Sequence, residues 1–336
     1  MFVKLPQQRL EDSFATDTLD WFLGRQHGHM GKWQYLEPKS ANDPCRGNEL
    51  WDIWENLSQE GNMLNRQKKI IKDYVRDMAV LTGPVATLID LGPGGEHAVQ
   101  SNTIPFVKSY KESIRFYASI DMNADFAFWS VERVKRENPF IQASAINKDF
   151  YGDNFLLPSA LPATALLFGG TIGNFQAAQN TPDAVLLMAA QIRKLKQTMP
   201  AGGFMFIGLE ATQDPALLYN DYDHPAHAAY EINVMYGIKR DLIPDEEGFD
   251  PSAWKYSMAW WPDAFQFCHI AEATQAQSFY MNGTRFDFPK GKQLVVDNSF
   301  KFPILAMQRA VQLAGGKYIQ PFTDADCRMV IHALVL

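Results

Sequence analysis

The sequence predicts an α/β protein with a doubly wound, mostly parallel sheet and a second, inserted unit. Two observations support this fold class. Between residues 87 and 210, short apolar runs alternate with amphipathic stretches, and this alternation returns only after residue 300. Apolar strands separated by helices are typical of a parallel sheet that is covered on both faces. Right-handed crossovers then place the ligand crevice at the carboxyl ends of the strands.

The predicted elements of the sheet follow in chain order. Strands are expected at 87–92, 116–121, 141–146, 163–170 and 203–210, with helices at 124–138 and 183–199 among them. A further helix at 302–316 ends at glycines, as helices commonly do. Two closing strands are expected at 317–324 and 327–336.

Residues 211–300 interrupt the pattern. They are rich in Tyr, Trp, Phe and Asp, show no clear period over most of their length, and are far too many for an ordinary loop. The first 75 residues lack the alternation as well. We therefore expect residues 1–75 plus 211–300 to form an accessory domain, and residues 76–210 plus 301–336 to form the domain that carries the sheet.

Composition excludes several classes of protein. The 336 residues carry 31 basic and 38 acidic side chains, a net charge of −7, which argues against a nucleic-acid-binding surface. Three widely spaced cysteines without a C-x-x-C pair argue against a disulfide framework and favour a reducing compartment. The N-terminal residues do not resemble a signal peptide, and the uncharged stretch 156–175 contains prolines and glycines, so no membrane span is expected. We predict a cytoplasmic location; the sequence does not indicate an oligomeric state.

A glycine-rich loop follows the first predicted strand. In "LIDLGPGGEHA" (88–98), Gly92 and Gly94 lie just before a predicted helix, where glycine lets the backbone approach a ligand. The second strand ends in Asp121, whose carboxylate could accept both hydroxyls of a ribose. Asp149 and Phe150 follow the third strand, where they could meet an adenine amino group and ring. Helix capping is the alternative role for these aspartates. A glycine loop after the first strand is followed by an acidic residue at the end of the second strand and by another after the third. This order resembles that of the Rossmann-like class I S-adenosylmethionine-dependent methyltransferases, which also end in a helix and an antiparallel strand pair.

The fourth strand ends in "FGGTIGNFQ" (168–176), at the crevice where a methyl donor and an acceptor would meet. Gly170 and its neighbouring glycines leave room for a ligand. Asn174 offers both a hydrogen-bond donor and an acceptor. Asn174 could instead cap the following helix, but Thr181 and Pro182 already form a start signal for it. We therefore favour a role for Asn174 in the site.

Several segments resemble the histidine Nα-methyltransferase family of the ergothioneine pathway. "KWQY" (32–35) is similar to that family's K-W-F-Y, and "RGNELWDIWENL" (46–57) to its G-S-x-L-F-x-x-I-x-x-L. "LLYNDYDHPAHAAYEINVM" (217–235) is similar to its A-Y-N-D and F-N-x-N segment, and "VVDNSFKF" (295–302) to its T-E-x-S-x-K-Y segment. The similarity runs in order through most of the chain, including the insertion.

The resemblance implies an N-methyltransferase that acts on the α-amino group of a small, histidine-like or other aromatic amino acid or a related amine. It implies S-adenosyl-L-methionine as the cofactor, and makes the accessory domain the substrate-binding one. The residues implied to hold the cofactor are Tyr35, Gly92, Asp121, Asp149 and Phe150, with Gly94 and Gly170 shaping the same crevice. Asn174 and Tyr219 would hold the acceptor's carboxylate and amine as the catalytic residues, and Asp297 and Ser299 would bind its imidazole.

This chain departs from the family pattern at two places in the acceptor pocket. "GNMLNR" (61–66) stands where the family has Glu-Tyr-Tyr-x-Thr-Arg, so a substrate-contacting tyrosine is replaced by Asn62 or Met63. Asp297 is shorter by one methylene than the family's glutamate at that position.

The sequence leaves three other interpretations. A non-catalytic protein that binds S-adenosylmethionine or another metabolite on the same fold is the first alternative, and a nicotinamide dehydrogenase is the second. A metal site is the third: His27 with His29, and His224 with His227, are close in sequence but lack a third ligand, so no metal is predicted.

Overall fold

The computed structural model describes residues 7–36, 38–57, 62–150 and 162–336. The helices are α1 (Gln7–Phe22), α2 (Gly47–Leu57), α3 (Met63–Thr82), α4 (Glu96–Ala98), α5 (Ile104–Ser109), α6 (Ala124–Glu137), α7 (Ala184–Thr198), α8 (Pro215–Tyr222), α9 (Pro225–Asp241) and α10 (Ile304–Leu313). The strands are β1 (Thr87–Leu91), β2 (Phe116–Asp121), β3 (Gln142–Asn147), β4 (Ala163–Leu167), β5 (Phe204–Glu210), β6 (Trp254–Trp261), β7 (Gln266–Ala273), β8 (Gln277–Met281), β9 (Thr284–Phe288), β10 (Gln293–Phe300), β11 (Lys317–Thr323) and β12 (Met329–Val335).

Seven strands form one sheet in the order β11-β12-β5-β4-β1-β2-β3. Strands β1 to β5 pair in parallel, and β12 is antiparallel to both of its neighbours. The strand order reverses at β1, which lies between β2 and β4, and ligands bind at such a switch point. The predicted fold class is therefore confirmed, including the antiparallel last strand.

Both faces of this sheet are covered, because neighbouring residues of each strand point to opposite sides. On one face, Leu88 of β1 and Phe206 of β5 pack with Ile71 of α3 and Phe106 of α5. On the other face, Ile89 and Ile207 pack with side chains of α7 and α10. This burial on both sides explains why the strands appear in the sequence as continuous apolar runs.

The insertion contains α8, α9, the antiparallel sheet β10-β7-β6 and the hairpin β8-β9. It shares a core with the N-terminal segment, where Trp21 and Phe22 of α1 pack with Met235 of α9 and Phe279 of β8. The predicted domain boundary at residue 75 falls inside α3, whose buried side chains belong to the core of the large sheet. Within the described ranges, no helix is long and apolar enough to cross a membrane.

Candidate active site

A cavity opens at the carboxyl ends of β1, β2 and β4, between the large sheet and the accessory elements. Its floor comes from the sheet and its connections, and its opposite wall from the N-terminal segment and the insertion. The residues on the sheet side include Asp90, Gly92, Gly94, Asp121, Asp149, Phe150, Thr171 and Asn174. Those on the opposite side include Tyr35, Met63, Tyr222, His227, Glu231, His269, Asp297 and Ser299.

The glycine loop lines one edge of the cavity with backbone that carries no side chains at Gly92 and Gly94. Gly92 and Gly94 have φ angles of 67° and 73°, a region that disfavours side chains. A Cβ at Gly94 would also lie only 3.2 Å from the Cβ of Ala98. Gly92 donates its N–H to the carbonyl of Ile120 at 2.8 Å, which ties the loop to the end of β2. The loop therefore has the shape that close approach by a ligand requires.

Asp121 lies at the end of β2 and faces the cavity. Burial raises the pKa of its carboxyl to about 7, although N–H groups of Asn123 and Gly94 donate to it and favour its charged form. The bond from Asn123 is 2.8 Å long. A carboxylate has room for several donors, so this one can accept further hydrogen bonds from a ligand. This geometry fits the ribose hydroxyls of the predicted cofactor.

Asp90 also lines the cavity but has partners within the protein. It accepts hydrogen bonds from Thr103 at 2.5 Å and from the Tyr117 hydroxyl at 3.1 Å. Burial raises its pKa to about 6. We assign Asp90 a structural role beneath the glycine loop.

The remaining residues predicted for the cofactor differ in their surroundings. Phe150 and Tyr35 line the cavity, and the Tyr35 ring packs 5.3 Å from that of Tyr230. The Asp149 carboxylate lies 3.3 Å from the Lys32 ammonium, so an adenine amino group would share it with this cation. Gly170 is not in the lining: with a φ of 76°, it turns the chain beside the side chain of Met63.

Three residues predicted for the acceptor come together. The Asn174 side-chain N–H group donates to the Asp297 carboxylate at 3.1 Å, and Ser299 lines the cavity two residues further along β10. Burial raises the pKa of Asp297 well above its usual value, opposed by the N–H of Asn298, which donates to it, and by the charge of Lys301. The side of the cavity next to the sheet and the wall formed by β10 are thus in direct contact.

The structure does not bring Tyr219 to the cavity. Its side chain is 37% exposed, and its hydroxyl accepts a hydrogen bond from the N–H of Trp260 at 3.2 Å. Tyr222, three residues later on α8, lines the cavity instead. Its hydroxyl lies 3.2 Å from Ser299 Oγ and accepts from Lys301 Nζ at 2.7 Å. The helical spacing of buried Leu218 and Tyr222 is the signal that would have indicated the inward-facing tyrosine.

Met63 and Asn62 have separate roles. Met63 lines the cavity with its sulfur 3.9 Å from the Tyr222 hydroxyl. The side chain of Asn62 accepts from the N–H of Asn65 and begins α3. Met63 is therefore the residue that occupies the pocket in this segment, and it makes that part of the wall apolar.

Lys301 stabilises the part of the cavity wall that contains Tyr222, Asp297 and Ser299, which we call the acceptor wall. It is almost fully buried, with its ammonium 2.8 Å from the Glu210 carboxylate and 2.8 Å from Ser299 Oγ. Burial alone would lower the pKa of this lysine, but the charge of Glu210 holds it above its usual value. Lys301 is therefore charged, and it orients the hydroxyls of Ser299 and Tyr222.

Another part of the wall contains polar residues that sequence reasoning did not select. His227 and Glu231 lie one turn apart on α9, and His269 comes from β7. Burial lowers the pKa of His227 to about 3 and that of His269 well below its usual value, so both imidazoles are neutral. Burial and the nearby Asp297 raise the pKa of Glu231.

Comparison with known proteins identifies the family. The profile of the family described as "Histidine-specific methyltransferase, SAM-dependent" matches residues 35–336, which is nearly the whole chain. The chain belongs to this family. The methyltransferase therefore uses S-adenosylmethionine, and the predicted family, enzyme class and cofactor are confirmed.

Individual relatives are distant. The methyltransferase is 24% identical over 271 residues to the histidine N-alpha-methyltransferase of Mycolicibacterium smegmatis (strain ATCC 700084 / mc(2)155), covering 80% of this chain and 79% of that protein. A solved O-methyltransferase family 2 protein from Planctomyces limnophilus DSM 3776 in complex with apigenin is 12% identical, with a TM-score of 0.42; the match covers 88% of this chain but only 63% of that one. The 1,6-didemethyltoxoflavin-N1-methyltransferase of Burkholderia thailandensis, with bound 1,6-didemethyltoxoflavin and S-adenosylhomocysteine, is 8% identical, with a TM-score of 0.40 and coverage of 99% and 91%.

Proposed function

We propose that this methyltransferase methylates the α-amino group of a small amino acid, histidine-like or otherwise aromatic, or of a related amine. The observation that carries the proposal is the contact between Asn174 and Asp297. It places an amide from the sheet edge, where the methyl donor is expected, against a buried carboxyl of the acceptor wall. An acceptor held by both groups would have its amine beside the donor and its side chain against β10.

Gly92, Gly94 and Asp121 would hold the cofactor on the sheet side, with Tyr35 and Phe150 around it. When bound, S-adenosylmethionine supplies a methyl group that is already activated on a sulfonium. The protein must then align the acceptor nitrogen and exclude water, and such positioning can contribute about 7–11 kcal/mol to catalysis. No strong base is required within the site, because a nearby positive charge lowers the pKa of an ammonium.

The polar atoms of the acceptor wall suit an amino acid. The Asn174 amide donates to Asp297, which leaves its carbonyl oxygen to accept from an amine. Because Lys301 donates to the Tyr222 hydroxyl, that hydroxyl can direct its own proton to an acceptor carboxylate. A buried carboxyl such as Asp297 favours an N–H donor or a cation opposite it, as an imidazole or similar ring would supply.

The proposal is tested by calorimetric titration with S-adenosylhomocysteine, followed by a thermal-shift screen of amino acids and amines in its presence. Compounds that stabilise the complex are then incubated with S-adenosylmethionine, and the products are analysed by mass spectrometry. We expect an aromatic amino acid to gain mass in steps of one methyl group, and fragmentation to locate the methyl groups on the α-nitrogen. Methylation at another atom, or of no amino acid or amine, would contradict the proposed acceptor while leaving the methyltransferase assignment intact.

A further inference from the structure

We propose that His227, Glu231 and His269 form a binding site for one divalent transition-metal ion, Zn²⁺ or Fe²⁺, in the wall of the cavity. All three side chains are buried, and one ligand atom from each lies within 4.8 Å of the other two. Two imidazoles and one carboxylate form a ligand set that suits both ions. This site does not depend on the identity of the methyl acceptor.

Two of the three separations between the ligand atoms match those around a metal ion. His227 Nε2 lies 3.3 Å from Glu231 Oε1, and His269 Nδ1 lies 3.5 Å from the same oxygen. Both distances exceed the usual hydrogen-bond range of about 2.7–3.2 Å. Ligands about 2.0–2.2 Å from a tetrahedral ion are separated from one another by roughly 3.3–3.6 Å. Glu231 Oε1 is therefore spaced from each imidazole as two ligands of one ion would be, and the two imidazole nitrogens, which lie within 4.8 Å of each other, would close on the ion when it binds.

The surrounding residues hold the three ligands in place. Gln34 donates a hydrogen bond to the second oxygen of Glu231, which fixes the carboxylate and leaves Oε1 toward the imidazoles. The ring of His227 packs 4.8 Å from that of Trp54 and 5.0 Å from that of Tyr222. Such outer contacts orient metal ligands and strengthen binding.

His269 must exchange one interaction to bind the ion. Its Nδ1 lies 2.7 Å from the Tyr256 hydroxyl, and whichever of the two atoms is the donor, this hydrogen bond occupies the nitrogen that a metal would bind. When the ion binds at Nδ1, this hydrogen bond breaks.

The cluster borders the same cavity as the expected acceptor site, so the ion would have a coordination position facing that cavity. Metal sites with three protein ligands keep such a position open for a further molecule. If the proposed acceptor is correct, a nitrogen or oxygen of its side chain could bind there. Its amine must stay uncoordinated, since a coordinated amine has no lone pair left for methyl transfer.

The test uses tag-free, full-length protein that has been treated with a chelator and dialysed. We expect calorimetric titration with ZnCl₂ to show one equivalent of binding, and Co²⁺ to give the visible absorption of a low-symmetry site. Glu231→Gln and His269→Gln should each weaken Zn²⁺ binding by about 100-fold or more, because the loss of an outer-shell partner alone costs about 10–100-fold. The matched control is His97→Gln, because His97 is exposed and lies outside the cavity lining.

Each variant is also titrated with S-adenosylhomocysteine, which reports folding and the cofactor site separately from the metal. Unchanged nucleoside binding together with lost Zn²⁺ binding supports the proposal. Absence of stoichiometric Zn²⁺ binding by the wild-type protein overturns it, as does Zn²⁺ binding that Glu231→Gln and His269→Gln leave unchanged. Neither of these negative results affects the methyltransferase function.

Discussion

The carboxyl of Asp121 should make cofactor binding depend on pH. In the ligand-free protein its pKa is raised to about 7, chiefly by burial. Ribose hydroxyls donate hydrogen bonds, so the bound state favours the ionised carboxylate, and binding below pH 7 must release its proton. Affinity should therefore rise as pH increases through 7 and level off above it.

The magnitude follows from the fraction of protein that is ionised before binding. With a pKa of about 7, roughly one molecule in eleven is ionised at pH 6 and roughly ten in eleven at pH 8. The dissociation constant of S-adenosylhomocysteine should thus be about 10-fold larger at pH 6 than at pH 8. This difference corresponds to about 1.4 kcal/mol.

The assay is calorimetric titration at half-unit steps from pH 6 to pH 8, in buffers of different ionisation enthalpy so that proton release is counted directly. Asp121→Asn is the control, because its amide cannot ionise. It should bind about 10–100-fold more weakly than wild type at pH 8, having lost hydrogen bonds to a charged group, and its affinity should follow only the titration of the ligand. An affinity in the wild-type protein that is no more pH-dependent than in Asp121→Asn would refute the assignment of Asp121 to the ribose.

Three further predictions concern the acceptor wall and the glycine loop. With an acceptor identified, Tyr222→Phe should lower kcat/KM by about 10-fold or more, since a hydrogen bond to a charged group contributes about 1.5–3 kcal/mol. Tyr219→Phe should change kcat/KM less than about 2-fold. Equal effects of the two variants in steady-state kinetics would contradict the placement of these residues. Lys301→Met should lower the free energy of unfolding in urea by up to about 3–5 kcal/mol, because the buried Glu210 loses the nearer of its two cations and keeps only Arg328, at 3.6 Å. Adding Glu210→Leu should restore part of this loss, whereas wild-type stability in the single variant would contradict a stabilising role for the Lys301–Glu210 ion pair. Gly94→Ala should weaken S-adenosylhomocysteine binding by at least about 5-fold. A residue with a side chain at a φ of 73° is strained by about 1–2 kcal/mol, and the new Cβ would crowd Ala98. Wild-type affinity would mean that the loop can relax without affecting the cavity.

The sequence predicted the central sheet well because of where its strands lie. Strands β1 and β4 are buried along their whole length, so they appear as apolar runs between helices. The insertion gave no such signal. Strand β7 is buried at nearly every position, whereas β6 alternates poorly because most of its residues are half-buried. Neither the period of two nor a clean boundary is therefore visible in the sequence.

From local pattern alone, the candidate site was predictable only at strand ends of the large sheet, whereas Tyr35, Asp297 and Ser299 were predicted from the family resemblance and also line the cavity. Gly92 directly follows β1 and Asp121 is the last residue of β2, and the topology alone brings them to one edge. Tyr222 and His269 instead reach the cavity because the insertion packs against the sheet. No local sequence pattern indicates this packing. The metal hypothesis illustrates the same limit: His227 and Glu231 have helical i,i+4 spacing, but their third partner lies on β7.

The N-terminal segment lies against β10, and this placement has a consequence for how the protein folds. Trp21 donates a hydrogen bond to the carbonyl of Val295 at 2.8 Å, across 274 residues of chain. Contacts over such separations form slowly, because a long loop must close before they stabilise anything. On the ribosome, strands β1 to β5 can assemble while α1 still lacks its partners. The catalytic cavity is therefore a late product of synthesis, completed only after the segment that includes β10 has emerged.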